Sequence, residues 1–275
     1  MGARVFADQT PDESTRIALR TRQVMAGPQR LRGQLAGWLR SCVAGNGLFL
    51  DAGCGAGVLL AGAALEGRRG IGIDVSLVWL LVAARLVRAC GGDPLLAAAH
   101  AEALPLADGA VSGVISLDVI EHVAEPRRYL REIERVLAPG GNTALSTPNR
   151  FSLAAEPHVF VWGVGWLPRR WQKAYVHWRS GRPYDFVRLL SHRELRRVFR
   201  TETSLAAEIF APQIPAEEIT HFSRRRTWLA GAYNRLVTRR GWQWLFLRIG
   251  PFFPNHCSQN QLAKTDAEPP SVHLQ

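Results

Sequence analysis

The stretch FLDAGCGAGVLL at residues 49–60 decides the fold. An apolar run meets Asp51, and glycines then occupy every second position at 53, 55 and 57. A glycine-rich loop directly after a buried strand lets the backbone approach a ligand at the carboxyl end of that strand. The ligand of such a loop is the pyrophosphate of a nicotinamide cofactor, the phosphates of ATP, or a molecule without phosphate.

The spacing excludes both phosphate ligands. A nicotinamide site needs a third glycine at position 58, where Val58 stands, and a P-loop needs a lysine that does not follow. Asp51 would repel a pyrophosphate but can accept a hydrogen bond from an ammonium group. Asp74, 17 residues past Gly57, ends the next strand and is placed to bind both hydroxyls of a ribose. A ligand with an amino-acid end, a ribose and no phosphate fits S-adenosylmethionine.

Strand and helix patterns alternate around this loop. Short apolar runs predict strands in residues 47–53, 68–76, 94–100, 110–118 and 142–148, and helical patterns separate them at 56–66, 77–90 and 126–137. This alternation predicts an α/β fold, a doubly wound Rossmann-like sheet that is mostly parallel. An antiparallel last strand and an aromatic-rich insertion after the fifth strand complete the prediction.

The chain of 275 residues predicts a single domain over 1–264 and a polar tail over 265–275. Within the domain we expect an N-terminal helical segment (14–43), a ligand-binding core (48–149), a cap or insertion (151–190), and a C-terminal part of the sheet with basic helices (191–264). Ser191 and Glu194 have capping-box spacing and predict the start of a helix.

Five blocks between Leu48 and Asn149 carry a family resemblance: LDAGCGAG, GIDVS, HAEALPL, VSGVISLDVIEHV, and RVLAPGG followed by STPN. In this order they resemble the class I S-adenosylmethionine-dependent methyltransferases of type 11, which include the ubiquinone-biosynthesis O-methyltransferases. The resemblance places Gly53 and Gly55 at the methionine portion, Asp74 at the ribose, residues 100–102 at the adenine and Leu117 near the methionine side.

The full set of cofactor-binding residues so implied is Asp51, Ala52, Gly53, Cys54, Gly55, Gly57, Asp74, Val75, His100, Ala101, Glu102 and Leu117. The family often has aspartate where His100 stands. A neutral histidine accepts through one ring nitrogen, or the backbone of Ala101 takes that role.

The segment LDVIEHV after the fourth strand supplies the candidate catalytic residues Asp118, Glu121 and His122. In one interpretation His122 is a general base for a substrate hydroxyl, oriented by an acid. In another, the segment is similar to the E-x-x-E-H segment of the ubiquinone-biosynthesis enzymes, and all three residues bind a divalent metal. In a third, Glu121 and His122 only shape the turn. His158, in the cap, is a further candidate base.

Substrate choice in this fold depends on added segments, here residues 151–190. Asn149 and Arg150 are predicted to face the site, and the aromatic residues Phe160, Trp162, Trp166 and Trp171 follow. Aromatic walls suit sugars, rings or prenyl chains, whereas the alternative is that they fill the core of the cap. We expect methyl transfer to a hydroxyl of a small-molecule, lipid-linked or glycan-like acceptor. The alternatives are N- or C-methylation, or cofactor binding without turnover.

Charge and tryptophan concentrate in the second half of the chain. Residues 151–275 carry 18 Lys+Arg against 9 Asp+Glu and seven of the nine tryptophans, whereas residues 1–150 carry 16 against 14. This pattern suits an anionic membrane surface or a nucleic acid, or is a solvated basic face. Apolar runs such as WLFLRIGPFF around the aromatics argue for the membrane and against nucleic acid.

The location of the protein is predicted from what the sequence lacks. No apolar run reaches the ~20 residues that a membrane span needs, and no signal peptide is visible. The four cysteines lie far apart without metal-ligand spacing, which is typical of reduced thiols. We expect a cytoplasmic protein with peripheral contact at the inner face of the membrane.

Overall fold

The computed structural model describes residues 47–211, 224–250 and 252–258, together with Leu39, Cys42, Val43 and Ile219. A seven-stranded sheet forms its centre. Its strands, in chain order, are β1 (Phe49–Ala52), β2 (Gly70–Asp74), β3 (Leu95–Ala98), β4 (Val111–Leu117), β5 (Leu137–Pro148), β6 (Ala206–Ile209) and β7 (Phe252–Ser258). Across the sheet they lie in the order β3-β2-β1-β4-β5-β7-β6. The first five strands are parallel to one another, and β7 runs antiparallel to both β5 and β6. The predicted doubly wound sheet with an antiparallel last strand is therefore confirmed.

Through the fifth strand the elements follow one another in the order that the hydrophobic pattern predicts, whereas the helix at Arg169–Ser180 lies in the insertion, where no helix was predicted. They are β1 Phe49–Ala52, α1 Val58–Leu65, β2 Gly70–Asp74, α2 Leu77–Ala89, β3 Leu95–Ala98, β4 Val111–Leu117, α3 Pro126–Val136, β5 Leu137–Pro148, α4 Arg169–Ser180, α5 His192–Glu202, β6 Ala206–Ile209, α6 Arg224–Val237, α7 Arg240–Ile249 and β7 Phe252–Ser258.

Two apolar clusters hold the helices on the two faces of the sheet. One joins β1 and β4 to α3 and α5, with Tyr129, Ile133 and Phe199 fully buried. The other joins the same strands to α1 and α2 through residues such as Leu60 and Leu86. Because β1 is buried on both faces, its residues do not alternate between apolar and polar, and Asp51 is buried together with its apolar neighbours.

The fifth strand begins earlier than its sequence predicts. Glycines in APGG predict a break after the helix, but β5 starts directly at Leu137, which pairs with Val111. Backbone pairing with β4 thus makes the residues from Leu137 part of the strand although their strand propensity is weak, because tertiary context outweighs intrinsic propensity. Its carboxyl end still falls at Pro148, where the sequence places it.

The C-terminal part of the sheet agrees with its predictions where it is described. Ser191 and Glu194 form the expected capping box at the start of α5. The segment 191–264, predicted to contain part of the sheet with basic helices, holds β6 and β7 of the sheet and the helices α6 and α7. The predicted segment 14–43, apart from Leu39, Cys42 and Val43, and the tail 265–275 lie outside the described residues.

The insertion over 151–190 has a small core of its own. Val159, Val161, Val164, Val176 and Tyr184 are buried together, and a 3₁₀ turn at Val164–Trp166 precedes α4. The four aromatic residues predicted to fill this core or to line the acceptor site are between 49 and 73 % exposed, so the core-filling alternative is wrong.

Asn149 and Arg150 anchor the cap instead of facing the site. The Asn149 amide donates to the carbonyls of Arg248 and Gly250 at the end of α7. The Arg150 guanidinium donates to the carbonyl of Gly165 at 3.0 Å. The prediction that both side chains face an acceptor therefore fails, because the irregular cap needs polar groups to bind its free carbonyls.

Candidate functional site

The glycine loop turns sharply between β1 and α1. Gly53 and Gly57 have φ values of +80° and +73°, and a Cβ at Gly53 would lie 2.2 Å from a methyl carbon of Val119. Both positions therefore require glycine. Gly55 also has a positive φ, but no atom of the described residues lies within 4 Å of where its Cβ would be. With respect to these residues the loop is open at Gly55, where a ligand has room to approach.

Asp74 closes the loop from the end of β2. Its Oδ2 accepts from the backbone N–H of Gly55 at 2.9 Å, and its Oδ1 accepts from that of Ser76 at 2.9 Å. Each carboxylate oxygen has further acceptor capacity. The geometry holds the carboxylate at the carboxyl edge of the sheet, where an acid binds ribose hydroxyls.

Asp51 is buried at the base of the loop, with 5 % of its surface exposed. Burial, and then the negative charge of Asp74, raise the pKa of the Asp51 carboxyl to about 8. No described residue donates a hydrogen bond to this carboxyl. A buried acid without a donor is costly when ionised, so this position fits a ligand that brings its own positive charge.

The other residues assigned to the cofactor lie around the same edge. Ala52 is buried, and its carbonyl accepts from the Ser116 hydroxyl. Burial raises the pKa of the Cys54 thiol, so it is not a reactive thiolate. Leu117 ends β4 beside β1, whereas Val75 is 64 % exposed.

The residues predicted at the adenine form a loop after β3. His100 is exposed, Ala101 is half-buried, and the backbone N–H of Ala103 donates to the His100 carbonyl. The Glu102 carboxylate accepts from the backbone N–H of Ala124 at 2.8 Å. Glu102 thus connects the adenine side to the turn that carries the catalytic candidates.

That turn begins at Asp118, whose φ is +57°. Aspartate tolerates this left-handed conformation better than most residues. Two hydrogen bonds with Ser146 hold Asp118 in this conformation. The Asp118 N–H donates to the Ser146 carbonyl at 2.9 Å, and the Ser146 hydroxyl donates to Asp118 Oδ1 at 3.0 Å. Residues 118–122 form a turn rather than a helix.

Glu121 points into the protein and is 1 % exposed. Its Oε2 accepts from the Thr147 hydroxyl at 2.9 Å, whereas its Oε1 is buried without a hydrogen-bond partner among the described residues. Burial is the main cause that raises the pKa of Glu121 to about 7, and Asp118 adds to it. An orphaned carboxylate oxygen in this position has room for a proton, a cation or a ligand donor.

His122 and His158 meet above Glu121. Their Nε2 atoms are 3.1 Å apart, and His158 Nε2 lies 4.0 Å from Glu121 Oε1. On the far side of each ring, Nδ1 contacts an acceptor: the Phe186 carbonyl at 3.0 Å for His122, and Glu156 Oε1 at 2.5 Å for His158. A carbonyl or carboxylate only accepts, so each Nδ1 carries a proton and each Nε2 faces the other ring.

The two histidines differ in proton affinity. Burial lowers the pKa of His122, with the charge of His158 in the same direction. Burial alone would lower the pKa of His158 as well, but the hydrogen bond and charge of Glu156, with Glu121 and Asp118, raise it above its usual value. His158 is therefore the more basic ring, and the pair is a dyad in which a shared proton between the Nε2 atoms would reside on His158.

The same three side chains could hold a metal ion. Glu121, His122 and His158 each offer one potential ligand atom, and these atoms lie within 4.8 Å of one another. The predicted metal set was Asp118, Glu121 and His122. The structure instead places the Asp118 carboxyl against Ser146, and His158 of the cap takes its place beside Glu121 and His122.

Three contributors to the site were not predicted as such. Glu156 orients His158, Thr147 orients Glu121, and the Phe186 carbonyl orients His122. The spacing Glu156-x-His158 carries a signal, because an acid two residues before a histidine can accept from its ring. The Phe186 contact carries none, because any residue has a carbonyl.

Comparison with known proteins finds relatives for the part of the chain that contains the glycine loop. Residues 50–145 match the family model described as a methyltransferase domain. The ubiquinone biosynthesis O-methyltransferase of Parvibaculum lavamentivorans is 34 % identical over 124 residues, which cover 44 % of this chain and 49 % of that protein. The enzyme of the same name from Sodalis glossinidius is 37 % identical over 115 residues, 38 % and 44 % of the two chains. The chain spans about half the length of the curated relatives it matches.

Solved structures agree on the fold. The S-adenosylmethionine-dependent methyltransferase of Mesorhizobium loti superposes with a TM-score of 0.55 at 19 % identity, covering 82 % of this chain and 95 % of that one. Geranyl diphosphate C-methyltransferase of Streptomyces coelicolor gives 0.53 at 19 % identity, with 82 % and 75 % covered. The fold is that of the class I methyltransferases. The residues at the loop fit S-adenosylmethionine, which the name of the Mesorhizobium loti structure gives for that protein.

Proposed function

We propose that the protein transfers the methyl group of S-adenosylmethionine to a hydroxyl of a small-molecule, lipid-linked or glycan-like acceptor. The observation that carries the proposal is the dyad of His122 and His158, whose Nε2 atoms face each other at 3.1 Å beside the carboxyl edge of the sheet. A hydroxyl must lose its proton when it is methylated, and the dyad is a proton acceptor at that place. The names of the matched relatives refer to O-methylation, which favours oxygen as the accepting atom.

The proposed cofactor contacts divide between two acids. Asp51 would pair with the ammonium of the methionine portion and Asp74 would accept from the ribose hydroxyls, with the open side of the loop at Gly55 between them. When bound, the cofactor supplies a methyl group on a positively charged sulfur, and its transfer to oxygen breaks the carbon–sulfur bond and leaves the electron pair on sulfur.

The remaining residues act on the acceptor. With the shared proton lost, one Nε2 of the dyad accepts the hydroxyl proton as the carbon–oxygen bond forms. Glu156 and the Phe186 carbonyl hold the two Nδ1 protons in place, so that the lone pairs stay directed at the site. Apart from this proton acceptor, transfer needs only alignment of the reacting atoms.

A divalent cation at the cluster of Glu121, His122 and His158 is the second candidate. The unpartnered Oε1 of Glu121 favours it, because a buried carboxylate oxygen and two imidazole nitrogens are a suitable donor set for zinc or a related ion. Bound there, the cation would supply a positive charge that lowers the pKa of an acceptor hydroxyl. Glu156 would then orient the His158 ligand from behind, as carboxylates do at metal-bound histidines.

The test combines cofactor binding with product formation. The purified protein is incubated with methyl-labelled S-adenosylmethionine and a cell extract, and mass spectrometry identifies what gains a methyl group. We expect a product with wild type, none with His158→Gln despite normal cofactor affinity, and neither product nor cofactor binding with Asp74→Ala. Equal product from His158→Gln and wild type would refute the role of the dyad. Activity that a strong chelator abolishes and added metal restores would favour the cation, and full activity in chelator would exclude it.

A further inference from the structure

The cap exposes an unusual number of large apolar side chains. Phe160 and Trp178 are 73 and 75 % exposed. The aromatic rim, as we name the patch, consists of Leu153, Phe160, Trp162, Trp166, Trp171 and Trp178. Contiguous apolar patches of more than a few hundred Å² are rare on monomeric proteins and mark interaction sites.

Hydrogen bonds hold two tryptophans of the aromatic rim against the segment at Ser152 and Leu153. The Trp162 Nε1–H donates to the Leu153 carbonyl at 3.0 Å, and the Trp166 Nε1–H donates to the Ser152 carbonyl at 3.1 Å. The Tyr175 hydroxyl donates to the Trp162 carbonyl, and its ring lies 6.1 Å from that of Trp178 on α4. Since the two indole N–H groups are already bonded, the rings are free to face an apolar phase.

Arginines accompany the aromatic rim. Arg170 lies 5.2 Å from the ring of Trp171, and Arg179 lies 5.6 Å from that of Trp178. Residues 151–190 contain six Lys+Arg and only two Asp+Glu. Both acids are engaged within the cap: Glu156 is buried against His158, and Asp185 pairs with Lys173. The outward face is therefore cationic as well as aromatic.

The same arrangement continues onto α7. The Leu153 N–H donates to the Ile249 carbonyl at the end of that helix. On α7, Trp244 is 59 % exposed and Arg248 lies 4.3 Å from its ring. Tryptophan and arginine side chains with an apolar body and a polar or charged end are typical of surfaces that lie in a membrane interface.

We propose that the aromatic rim docks on an anionic lipid bilayer. The charge decides between a bilayer and a second copy of this chain. A second copy would bring the same cationic face, with its acids already engaged, against the first, and like charges in one interface are unfavourable. An anionic bilayer offers both an apolar phase for the rings and negative headgroups for Arg170 and Arg179.

Docking in this way places the site at the bilayer. Phe186 is 53 % exposed, its ring is stacked 6.4 Å from that of His122, and its carbonyl binds the same histidine. The histidine dyad thus lies beside one exposed apolar side chain of the cap, that of Phe186. This consequence rests on the proposed function: the acceptor would be a lipid-linked molecule that presents its hydroxyl at the headgroup level.

Vesicle flotation tests the docking surface. The full chain is mixed with vesicles of phosphatidylcholine alone or with a third of phosphatidylglycerol. We expect flotation with the anionic vesicles, weakened by salt, and a partition coefficient that falls roughly tenfold or more in the Trp171→Ser/Trp178→Ser double variant. The matched control is Leu81→Ser, which removes a side chain 66 % exposed on α2 and should change nothing. Arg170→Gln/Arg179→Gln should reduce anionic binding as a second, independent variant.

Two results would overturn the proposal. One is wild-type protein that stays with the dense fraction at low salt, or a loss of vesicle binding that is equal in both double variants and in the Leu81→Ser control. The other is a concentration-dependent dimer, seen by sedimentation, that the tryptophan double variant abolishes while no vesicles are bound. Calorimetry with S-adenosylmethionine separates this failure from that of the proposed function, because cofactor binding does not depend on the aromatic rim.

Discussion

Asp51 gives the most discriminating test of the cofactor site. Its pKa of about 8 means that the cofactor-free protein holds about 0.9 proton on this carboxyl at pH 7 and about 0.1 proton at pH 9. A bound ammonium next to Asp51 favours the ionised form and lowers this pKa. Binding of S-adenosylmethionine at pH 7 should therefore release most of one proton from Asp51.

The assay is isothermal calorimetry in buffers of different ionisation enthalpy, where the slope of observed heat against buffer enthalpy counts protons exchanged. Asp51→Asn removes the carboxyl but leaves the titration of the cofactor's own amine, so it is the matched control. The difference between wild type and variant should be about 0.9 proton at pH 7 and about 0.1 at pH 9. The variant should also bind about 10- to 100-fold more weakly, the usual loss for a charged hydrogen bond.

The reasoning would be refuted by equal proton counts for wild type and Asp51→Asn at pH 7 together with unchanged affinity. A stability measurement supports the same point. In the unfolded chain the Asp51 carboxyl ionises near the ordinary aspartate pKa of 3.8, whereas burial in the folded chain raises this pKa to about 8. Wild-type stability without cofactor therefore falls as pH rises through this window, and Asp51→Asn should melt at a higher temperature than wild type at pH 8 but not at pH 4.

Three further predictions concern Glu156 of the cap, the glycine loop, and Val119 in the turn after β4. Glu156→Gln removes the charge that raises the pKa of His158, so the acidic limb of the pH–rate profile should move to lower pH; an unmoved limb would argue against proton transfer through the dyad. Gly53→Ala should lower the free energy of unfolding by about 1–3 kcal/mol and weaken cofactor binding, since its Cβ meets Val119, whereas Gly55→Ala should cost less in thermal melts. Val119→Ala should recover part of the Gly53→Ala loss, and no recovery would place the strain elsewhere.

The sequence predicts the cofactor half of the molecule well because that half rests on local signals. The glycine spacing after β1 and the acid at the end of β2 are short-range features, and the parallel sheet brings them to one edge. The start of β5 at Leu137 was not predictable from propensity, since the pairing with Val111 decides it. Such pairing depends on the fold and not on the residues of the segment alone.

The acceptor half was less predictable because its contacts are long-range. His122 and His158 are 36 residues apart and meet only because the irregular cap folds back over the turn after β4. The sequence marks both as candidate bases but gives no reason to pair them. The exposure of the cap tryptophans is likewise a property of the small core around Val176 and Tyr184, which fills the interior without them.

No described helix has the length and apolar character needed to cross a bilayer.

The most direct test of the central claim is the identity of the bond that the protein forms. The protein is incubated with ¹³C-methyl S-adenosylmethionine and the lipid fraction of a cell extract, and the product is analysed by carbon NMR and mass spectrometry. The proposed function predicts a single labelled methoxy group, formed by wild type and absent with His158→Gln. A label on nitrogen or carbon, or no labelled product from a protein that binds the cofactor, would contradict it.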